Sequence, residues 1–176
     1  TTAKTLQDDV EAYVQAAGSL VIGAQEVVLD ARADTVRSVE ANVGNLIADA
    51  LRSAATGQND GNEVLIALMN GGGIRTNTVH EPRDFTVGDA LDLLPFNNTL
   101  AVVEDVTVQQ LVDTLENAVS RVVAVDGLPE RQGGGTGRFA QVSGITATLK
   151  AESETPKAVR LIPSTATEPF MNCTRS

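Results

Sequence analysis

The chain has 176 residues, of which 42% are hydrophobic, 20% charged and 3% aromatic, so it can bury the aliphatic core of one ordinary domain. Its formal net charge of −10 excludes a diffuse basic surface for nucleic-acid phosphates or anionic lipids. A single histidine, His80, and a single cysteine, Cys173, exclude an internal disulfide framework, a cysteine-rich zinc site and a hydrolytic centre built from several His ligands.

The first part of the chain predicts two helices and two extended segments. Apolar residues recur at helical spacing over 6–17, and residues 19–29 are rich in Leu, Val and Ile, which is typical of extended structure. Asn42 is a candidate N-cap for a helix over 43–53. The predicted buried face of that helix carries Leu46, Ile47, Ala50 and Leu51. Residues 64–69 form a fully apolar run, which predicts a buried strand.

The second part predicts two capped helices. Thr86 can cap a helix over 87–94, and Thr107 with Gln110 fits a capping box for the helix that follows. The other predicted elements are a strand at 99–103, a glycine-rich loop at 127–137, and strands at 138–150 and 158–162.

The order of these elements predicts the fold class. Because helices and strands are mixed without a strict βαβ repeat, we expect an α+β (mixed-sheet α/β) fold. We expect one domain over 1–162 and a tail without predicted order over 163–176.

The sequence NGGGIR at residues 70–75 is the strongest local signal for chemistry. Three glycines after an apolar run predict a turn that a ligand can approach closely, and Arg75 adds a planar cation suited to phosphate or carboxylate. A tight turn with a surface arginine explains the same residues, and the Gly-Lys-Ser/Thr of a P-loop is absent. Taken alone, the pattern favours the simple turn.

The sequence LPFNN at residues 94–98 places an aromatic side chain in a loop. Phe96 is suited to stack on a planar ligand or to fill the core beneath the loop, and the two interpretations are equally supported. Asn97 and Asn98 are suited either to read a base edge or to cap the turn.

Arg37 precedes the helix that carries Asn42 and Asn45. The residue types fit anion binding, but capping and a surface salt bridge explain them as well. In isolation the segment favours the structural explanation.

Five segments occur in a specific order: RSVEANVGNLIADA (37–50), NGGGIR (70–75), TVGD (86–89), LPFNN (94–98) and GRFAQVSGI (137–145). Together they resemble the C-terminal domain of the 5'-nucleotidase family, which includes the bifunctional UDP-sugar hydrolases. The resemblance covers roughly residues 20–150, and five motifs in order are far more specific than any one of them.

The resemblance implies a division of labour. In this family an N-terminal metallophosphoesterase domain holds two divalent metal ions and hydrolyses the nucleotide, and the C-terminal domain binds the nucleotide and swings it to the metals. We therefore expect a substrate-recognition domain without a cofactor of its own, which is not catalytic alone and has the metallophosphoesterase domain and a nucleotide or nucleoside as partners.

The resemblance also implies roles for single residues. Arg37 and Arg75 match the arginines that bind the phosphate end or nearby oxygens, and Asn70 matches the asparagine of the glycine-rich turn. Phe96 matches one wall of the base sandwich, and Asn98 matches a neighbouring base contact. The implied substrate-binding residues are Arg37, Asn70, Gly72, Arg75, Phe96 and Asn98. No catalytic or metal-binding residue is implied in this chain.

The chain departs from the family pattern after Ile145. The family continues to a late Gly-Gly-Asp motif that carries the second aromatic wall and an Asp for the ribose, and Phe170 has no such motif beside it. We therefore expect a domain truncated at its C-terminal end. Losing one stacking face costs about 1–3 kcal/mol, so we expect weak nucleotide binding from this chain alone.

An alternative stays open at this point. The same fold could serve as a non-catalytic structural or self-assembling extracellular subunit, because an unfinished sheet leaves an edge strand free to pair in a homo-oligomer. The usual export of the family implies a periplasmic or extracellular location. No run of about 18 apolar residues occurs, so no membrane span is predicted.

Overall fold

The computed structural model describes residues 3–60, 62–125, 128–131, 136–150 and 158–163. The helices in these ranges are Ala3–Gly18 (α1), Ala33–Val36 (α2), Asn42–Gln58 (α3), Val87–Leu93 (α4) and Val108–Val119 (α5). The strands are Val21–Gln25 (β1), Leu29–Asp30 (β2), Ala67–Asn70 (β3), Val79–His80 (β4), Arg83–Thr86 (β5), Val122–Val125 (β6), Leu128–Arg131 (β7), Ala140–Ser143 (β8), Ile145–Lys150 (β9) and Ala158–Pro163 (β10). This mixture of helices and strands confirms the α+β expectation.

The strands of the described chain pair as antiparallel couples: β1 with β5, β2 with β4, β3 with β8, β6 with β7 and β9 with β10. The β3–β8 pair joins distant parts of the sequence, with Ala67 opposite Ser143 and Asn70 opposite Ala140. Because β3 leads directly into the glycine turn Gly71–Gly73, this ladder places the turn beside the chain that precedes β8.

The main core lies where α2, α3, β2 and α4 meet. Its buried residues are Leu29, Ala31, Val36, Ala41, Val43, Ile47, Ile74 and Leu93. Ile74 connects the chain after the glycine turn to this core, and so anchors the residue that follows it, Arg75. A smaller cluster contains Val119, Val122 and Phe139.

The cap predicted at Thr86 and the capping box predicted at Thr107 are confirmed, and Thr86 also forms a capping box. The Thr86 side chain accepts a hydrogen bond from the Asp89 N–H while the Asp89 carboxylate accepts from the Thr86 N–H, and Thr107 and Gln110 exchange the same pair of bonds. The strand predicted at 158–162 is observed as β10. These elements depend on contacts close in sequence or on strong β patterning.

The details of α3 differ from the prediction. Ala41 is the N-cap and Asn42 is the first helical residue. The buried residues are Val43, Gly44, Ile47, Ala48 and Ala55. Leu46 and Ala50 are exposed instead, because β3 and β8 pack on the face that carries Gly44 and Ala48.

The two strands predicted for apolar runs, the buried strand at 64–69 and the strand at 99–103, are largely wrong. Only Ala67–Asn70 of the first run is a strand, and Leu65 is 66% exposed. Residues 99–103 form no strand, and Val103 is 75% exposed. A strand needs a hydrogen-bonding partner, and the described residues supply none to this segment.

Two predicted segments in the last part of the chain are also revised. The loop predicted at 127–137 contains the strand β7, which pairs with β6. The strand predicted at 138–150 is divided into β8 and β9 at Gly144, whose φ is 82°. The helix α2 and the strands β4, β5 and β6 were not predicted from the sequence.

Some predictions concern residues outside the described ranges. These are the glycines at 133–135, Phe170, Cys173 and nearly all of the tail predicted at 163–176. Within the described part of the chain, no helix has both the length and the apolar character that a bilayer crossing requires.

Candidate functional site

The glycine turn Gly71–Gly73 packs directly against the end of α2. The Gly71 N–H donates to the Phe139 carbonyl at 2.7 Å. A Cβ atom on Gly71 would come within 2.0 Å of the Val36 carbonyl oxygen, so only glycine allows this approach. The turn thereby brings Arg75 to the segment that carries Arg37.

Asn70 and Gly72 meet the segment before β8. The Asn70 amide donates to the Gly137 carbonyl at 3.4 Å, and a Cβ atom on Gly72 would lie 2.8 Å from the Gly137 Cα. The two predicted site residues thus connect the NGGGIR and GRFAQVSGI segments. This contact is a structural role that the sequence did not reveal.

A cleft of about 370 Å³ lies beside this turn. Its lining residues are Ala31, Ala33, Arg37, Ile74, Arg75, Thr76 and Asn77. The structure therefore brings Arg37 and Arg75 to one cleft, although they are distant in sequence. Two guanidinium groups at one cleft offer paired donors for the oxygens of an anion.

Two of the residues that line the cleft have an unusual backbone. Thr76 and Asn77 have φ angles of 67° and 54°, and such left-handed conformations cost about 1–3 kcal/mol at non-glycine residues. The Asn77 side-chain oxygen accepts a hydrogen bond from the Ala33 N–H at 2.8 Å, and the Thr76 hydroxyl lies 3.1 Å from the His80 Nε2. These two bonds hold the segment in place. Sequence reasoning missed this segment, although Asn77 is a residue type that tolerates the left-handed region.

Phe96 lies next to Arg75. The Arg75 guanidinium carbon is 5.4 Å from the centroid of the Phe96 ring, and its Nη1 donates to the Gly72 carbonyl at 3.3 Å. Phe96 is 51% exposed, so the interpretation of this ring as a core residue is wrong. An exposed ring face beside a cation suits a planar, anionic ligand.

Asn98 joins this group through its backbone. Its N–H donates to the Phe96 carbonyl at 2.8 Å, and the residue is exposed. This bond closes the loop that presents the Phe96 ring. The structure thus brings Arg37 and Arg75 to one cleft. Gly72 and Phe96 contact Arg75 but are not among the lining residues, and Asn70 and Asn98 lie in the adjoining turns.

Asn42 and Asn45 have structural partners. Asn42 donates to the Val28 carbonyl at 2.5 Å and accepts from the Asp30 N–H at 3.2 Å. Asn45 donates to the Glu40 carboxylate at 2.6 Å. These bonds fasten the start of α3 and support a structural role for both residues, although the N-cap is Ala41 and not the predicted Asn42.

The carboxylate of Asp30 is engaged by the chain that leads into α2. Hydrogen bonds from Arg32, and to a lesser extent from Thr35, hold the pKa of Asp30 at about 2, below its ordinary 3.8. The Arg32 Nη2 lies 2.6 Å from the carboxylate. The pair fixes the start of the short helix whose end carries Arg37.

No group of three or more His, Cys, Asp or Glu side chains that could hold a metal ion occurs among the described residues. The cleft residues are arginines, amides, hydroxyls and apolar groups. Their chemistry is that of binding a charged ligand by hydrogen bonds.

Comparisons with known proteins agree with the motifs. The family described as "5'-nucleotidase, C-terminal domain" matches residues 21–168. The chain is 38% identical over 128 residues to a trifunctional nucleotide phosphoesterase protein of Bacillus subtilis, and 36% identical over 134 residues to a 5'-nucleotidase of Diplobatis ommata. Each alignment covers 73% of this chain, but only 8% and 21% of those two proteins.

A solved structure has the same fold. The 5'-nucleotidase precursor from Thermus thermophilus matches with a TM-score of 0.65 and 32% sequence identity, over 89% of this chain and 30% of that chain. The chain thus spans less than a third of each of these three relatives. The family match, the sequence relatives and the shared fold together show that this chain belongs to the 5'-nucleotidase family and corresponds to its C-terminal domain.

Proposed function

We propose that this domain recognises a nucleotide, with the phosphate held at Arg37 and Arg75 and the base stacked on Phe96. One observation carries the proposal: two arginines from distant segments line one cleft, and the second lies 5.4 Å from an exposed aromatic ring. A nucleotide has an anionic end and a flat apolar end, and this arrangement offers a partner to each.

Charge supports the choice of an anionic ligand. The chain carries a formal net charge of −10, yet the charged residues that line the cleft are both arginines. Charge-assisted hydrogen bonds from a guanidinium to phosphate are about twice as strong as neutral ones. The domain therefore concentrates positive charge at one place on an acidic molecule.

We assign this domain the recognition step of nucleotide phosphomonoester hydrolysis, as part of nucleotide catabolism. The bond-breaking step then belongs to a separate metallophosphoesterase domain with two divalent metal ions, which is the partner that the family resemblance implies for this domain. Relatives include a protein named snake venom 5'-nucleotidase, from Naja atra, which supports a periplasmic or extracellular location for this chain.

The proposal is tested by calorimetric titration of the chain with AMP, adenosine and inorganic phosphate. We expect AMP to bind more tightly than adenosine, and Arg75→Ala to weaken AMP binding about ten-fold or more and adenosine binding much less. Arg121→Ala is the matched control, because Arg121 is exposed and lies outside the cleft. A folded chain that binds none of the three ligands at millimolar concentration contradicts the proposal.

The alternative role in assembly has one observation in its favour. The helix α1 buries none of its residues, and its apolar side chains are exposed. These are Leu6, Val10, Tyr13 and Val14. An exposed apolar stripe is a common feature of interaction surfaces. Sedimentation velocity tests this role, since a strictly monomeric chain rules out self-assembly.

A further inference from the structure

Gln141 is a buried polar residue whose side chain contacts the segment that carries Arg37. Its side chain is 1% exposed and comes from β8. Its Oε1 accepts a hydrogen bond from the Ala41 N–H at 3.0 Å. Its Nε2 donates to the Val36 carbonyl at 3.1 Å and to the Val39 carbonyl at 2.8 Å. One side chain thus fixes the backbone on both sides of Arg37.

The strand that carries Gln141 also supports the Arg75 segment. In the β3–β8 ladder Gln141 lies opposite Met69, just before the glycine turn that leads to Arg75. The Gly71 N–H donates to the Phe139 carbonyl, two residues before Gln141. Both arginine segments are therefore attached to the same short strand.

Gly44 packs directly against the Gln141 side chain. A Cβ atom on Gly44 of α3 would lie 2.3 Å from the Gln141 Oε1 and 2.4 Å from its Cδ. The absence of a side chain at Gly44 leaves room for the glutamine to reach the 36–41 segment. The Val36 carbonyl, which receives one of the Gln141 bonds, is also the atom that Gly71 approaches.

We propose that Gln141 is a positioning residue, which sets the placement of Arg37 relative to Arg75 and so determines the preference of the cleft for a phosphate-bearing ligand. This inference rests on the proposed function. The glutamine is buried and does not line the cleft, so it acts through the backbone of residues 36–41 rather than by touching the ligand. When one guanidinium is displaced, the two arginines no longer hydrogen-bond the same anion well, since hydrogen bonds depend steeply on distance and angle.

The test compares Gln141→Met with Ser143→Ala. Methionine has nearly the volume of glutamine and carries no charge, but it makes none of the three hydrogen bonds. Ser143 is also buried in β8, and its hydroxyl donates to Asp49 of α3 rather than to the Arg37 segment. Each variant therefore removes one buried hydrogen-bonding side chain from β8. The Gln141 side chain contacts the Arg37 segment, whereas the Ser143 side chain bonds to Asp49.

The decisive readout is the ratio of AMP to adenosine affinity, measured by titration calorimetry on chains whose folding is checked by circular dichroism. We expect Gln141→Met to lower this ratio about ten-fold with little change in adenosine affinity, and Ser143→Ala to leave the ratio unchanged. A folded Gln141→Met protein that keeps the wild-type ratio overturns the inference. A wild-type chain without preference for AMP over adenosine overturns the proposed function itself.

A second measurement needs no variant and serves if Gln141→Met does not fold. In a ¹⁵N-labelled wild-type chain, the Gln141 side-chain amide resonances are followed during titration with inorganic phosphate, AMP and adenosine. We expect phosphate and AMP to shift these resonances, because their binding at Arg37 is transmitted through the Val36 and Val39 carbonyls. Resonances that stay unchanged while the Arg75 amide shifts with AMP overturn the inference.

Discussion

The Arg75 guanidinium carbon lies 5.4 Å from the centroid of the Phe96 ring. A cation over a half-exposed ring contributes about 0.5–1 kcal/mol, so each residue helps to hold the other. The Arg75 N–H also donates to the Leu93 carbonyl at 2.9 Å, which attaches the arginine to the helix that precedes the Phe96 loop. The anion-binding and aromatic parts of the candidate site are therefore coupled before any ligand is bound.

Replacing Phe96 separates stacking from charge recognition. We expect Phe96→Leu to weaken AMP and adenosine binding together, by about 5- to 150-fold, because base–aromatic stacking is worth about 1–3 kcal/mol. The AMP-to-adenosine ratio should change much less than in Arg75→Ala. Tyr13→Leu is the control, because Tyr13 is an exposed aromatic residue on α1. Equal adenosine affinities for wild type and Phe96→Leu would exclude the ring from the site.

Two glycine-to-alanine changes should have opposite effects on stability. Gly71→Ala places a methyl group 2.0 Å from the Val36 carbonyl oxygen, so we expect a loss of at least about 2 kcal/mol in the free energy of unfolding. Gly57 lies in the helix α3, and a Cβ atom added there would have nothing within 4 Å. We therefore expect Gly57→Ala to raise the free energy of unfolding by about 0.5–1 kcal/mol. Urea unfolding measures both, and a stable Gly71→Ala protein would contradict the close approach of the turn to α2.

Asn77 adopts a left-handed backbone conformation and its side chain accepts a hydrogen bond, and two substitutions separate these roles. Asn77→Gly keeps the backbone conformation but loses the bond from the Ala33 N–H, which we expect to cost about 1 kcal/mol. Asn77→Ala loses the same bond and also strains a φ of 54°, which we expect to cost about 1–2 kcal/mol more. Thermal unfolding should thus rank wild type above Asn77→Gly and Asn77→Gly above Asn77→Ala. The reverse order of the two variants would show that the strain is not significant.

The lowered pKa of Asp30 predicts that the contribution of its carboxylate to stability depends on pH. Hydrogen bonds from Arg32 and Thr35 lower its pKa in the folded chain to about 2, from an ordinary 3.8. The ionised carboxylate therefore stabilises the fold above about pH 4, and this contribution disappears as the pH falls from about 4 to about 2. Because the carboxylate is partly exposed, we expect no more than about 1 kcal/mol.

The measurement for Asp30 is urea unfolding of wild type and Asp30→Asn at pH 7 and at pH 2.5. The difference in unfolding free energy between the two proteins should be largest at pH 7 and should shrink at pH 2.5. Comparing the two proteins at each pH cancels the titration of carboxylates distant from Asp30, because effects at distant, independent sites add. A difference that is equal at both pH values would contradict the lowered pKa.

Several features of the fold could be predicted from sequence because they depend on near neighbours. The cap at Thr86 and the capping box at Thr107 were predicted, and in each the partner lies three residues along the chain. The segment at residues 99–103 is different, because near neighbours alone do not decide whether it forms a strand. Its apolar composition indicated a strand, but pairing depends on a second segment whose position the local pattern does not contain.

In the candidate site, too, features carried by local sequence could be predicted and long-range contacts could not. The sequence by itself determined the family, through five ordered motifs, and it nominated Arg37, Arg75 and Phe96 as residues suited to a nucleotide. Only the tertiary structure decided that the two arginines line one cleft, that Phe96 is exposed beside Arg75, and that Gln141 fastens the Arg37 segment. The physical reason is distance along the chain: the Gln141 amide bonds to a carbonyl 105 residues away, and a contact of that kind exists only after the strands have paired and the core has closed.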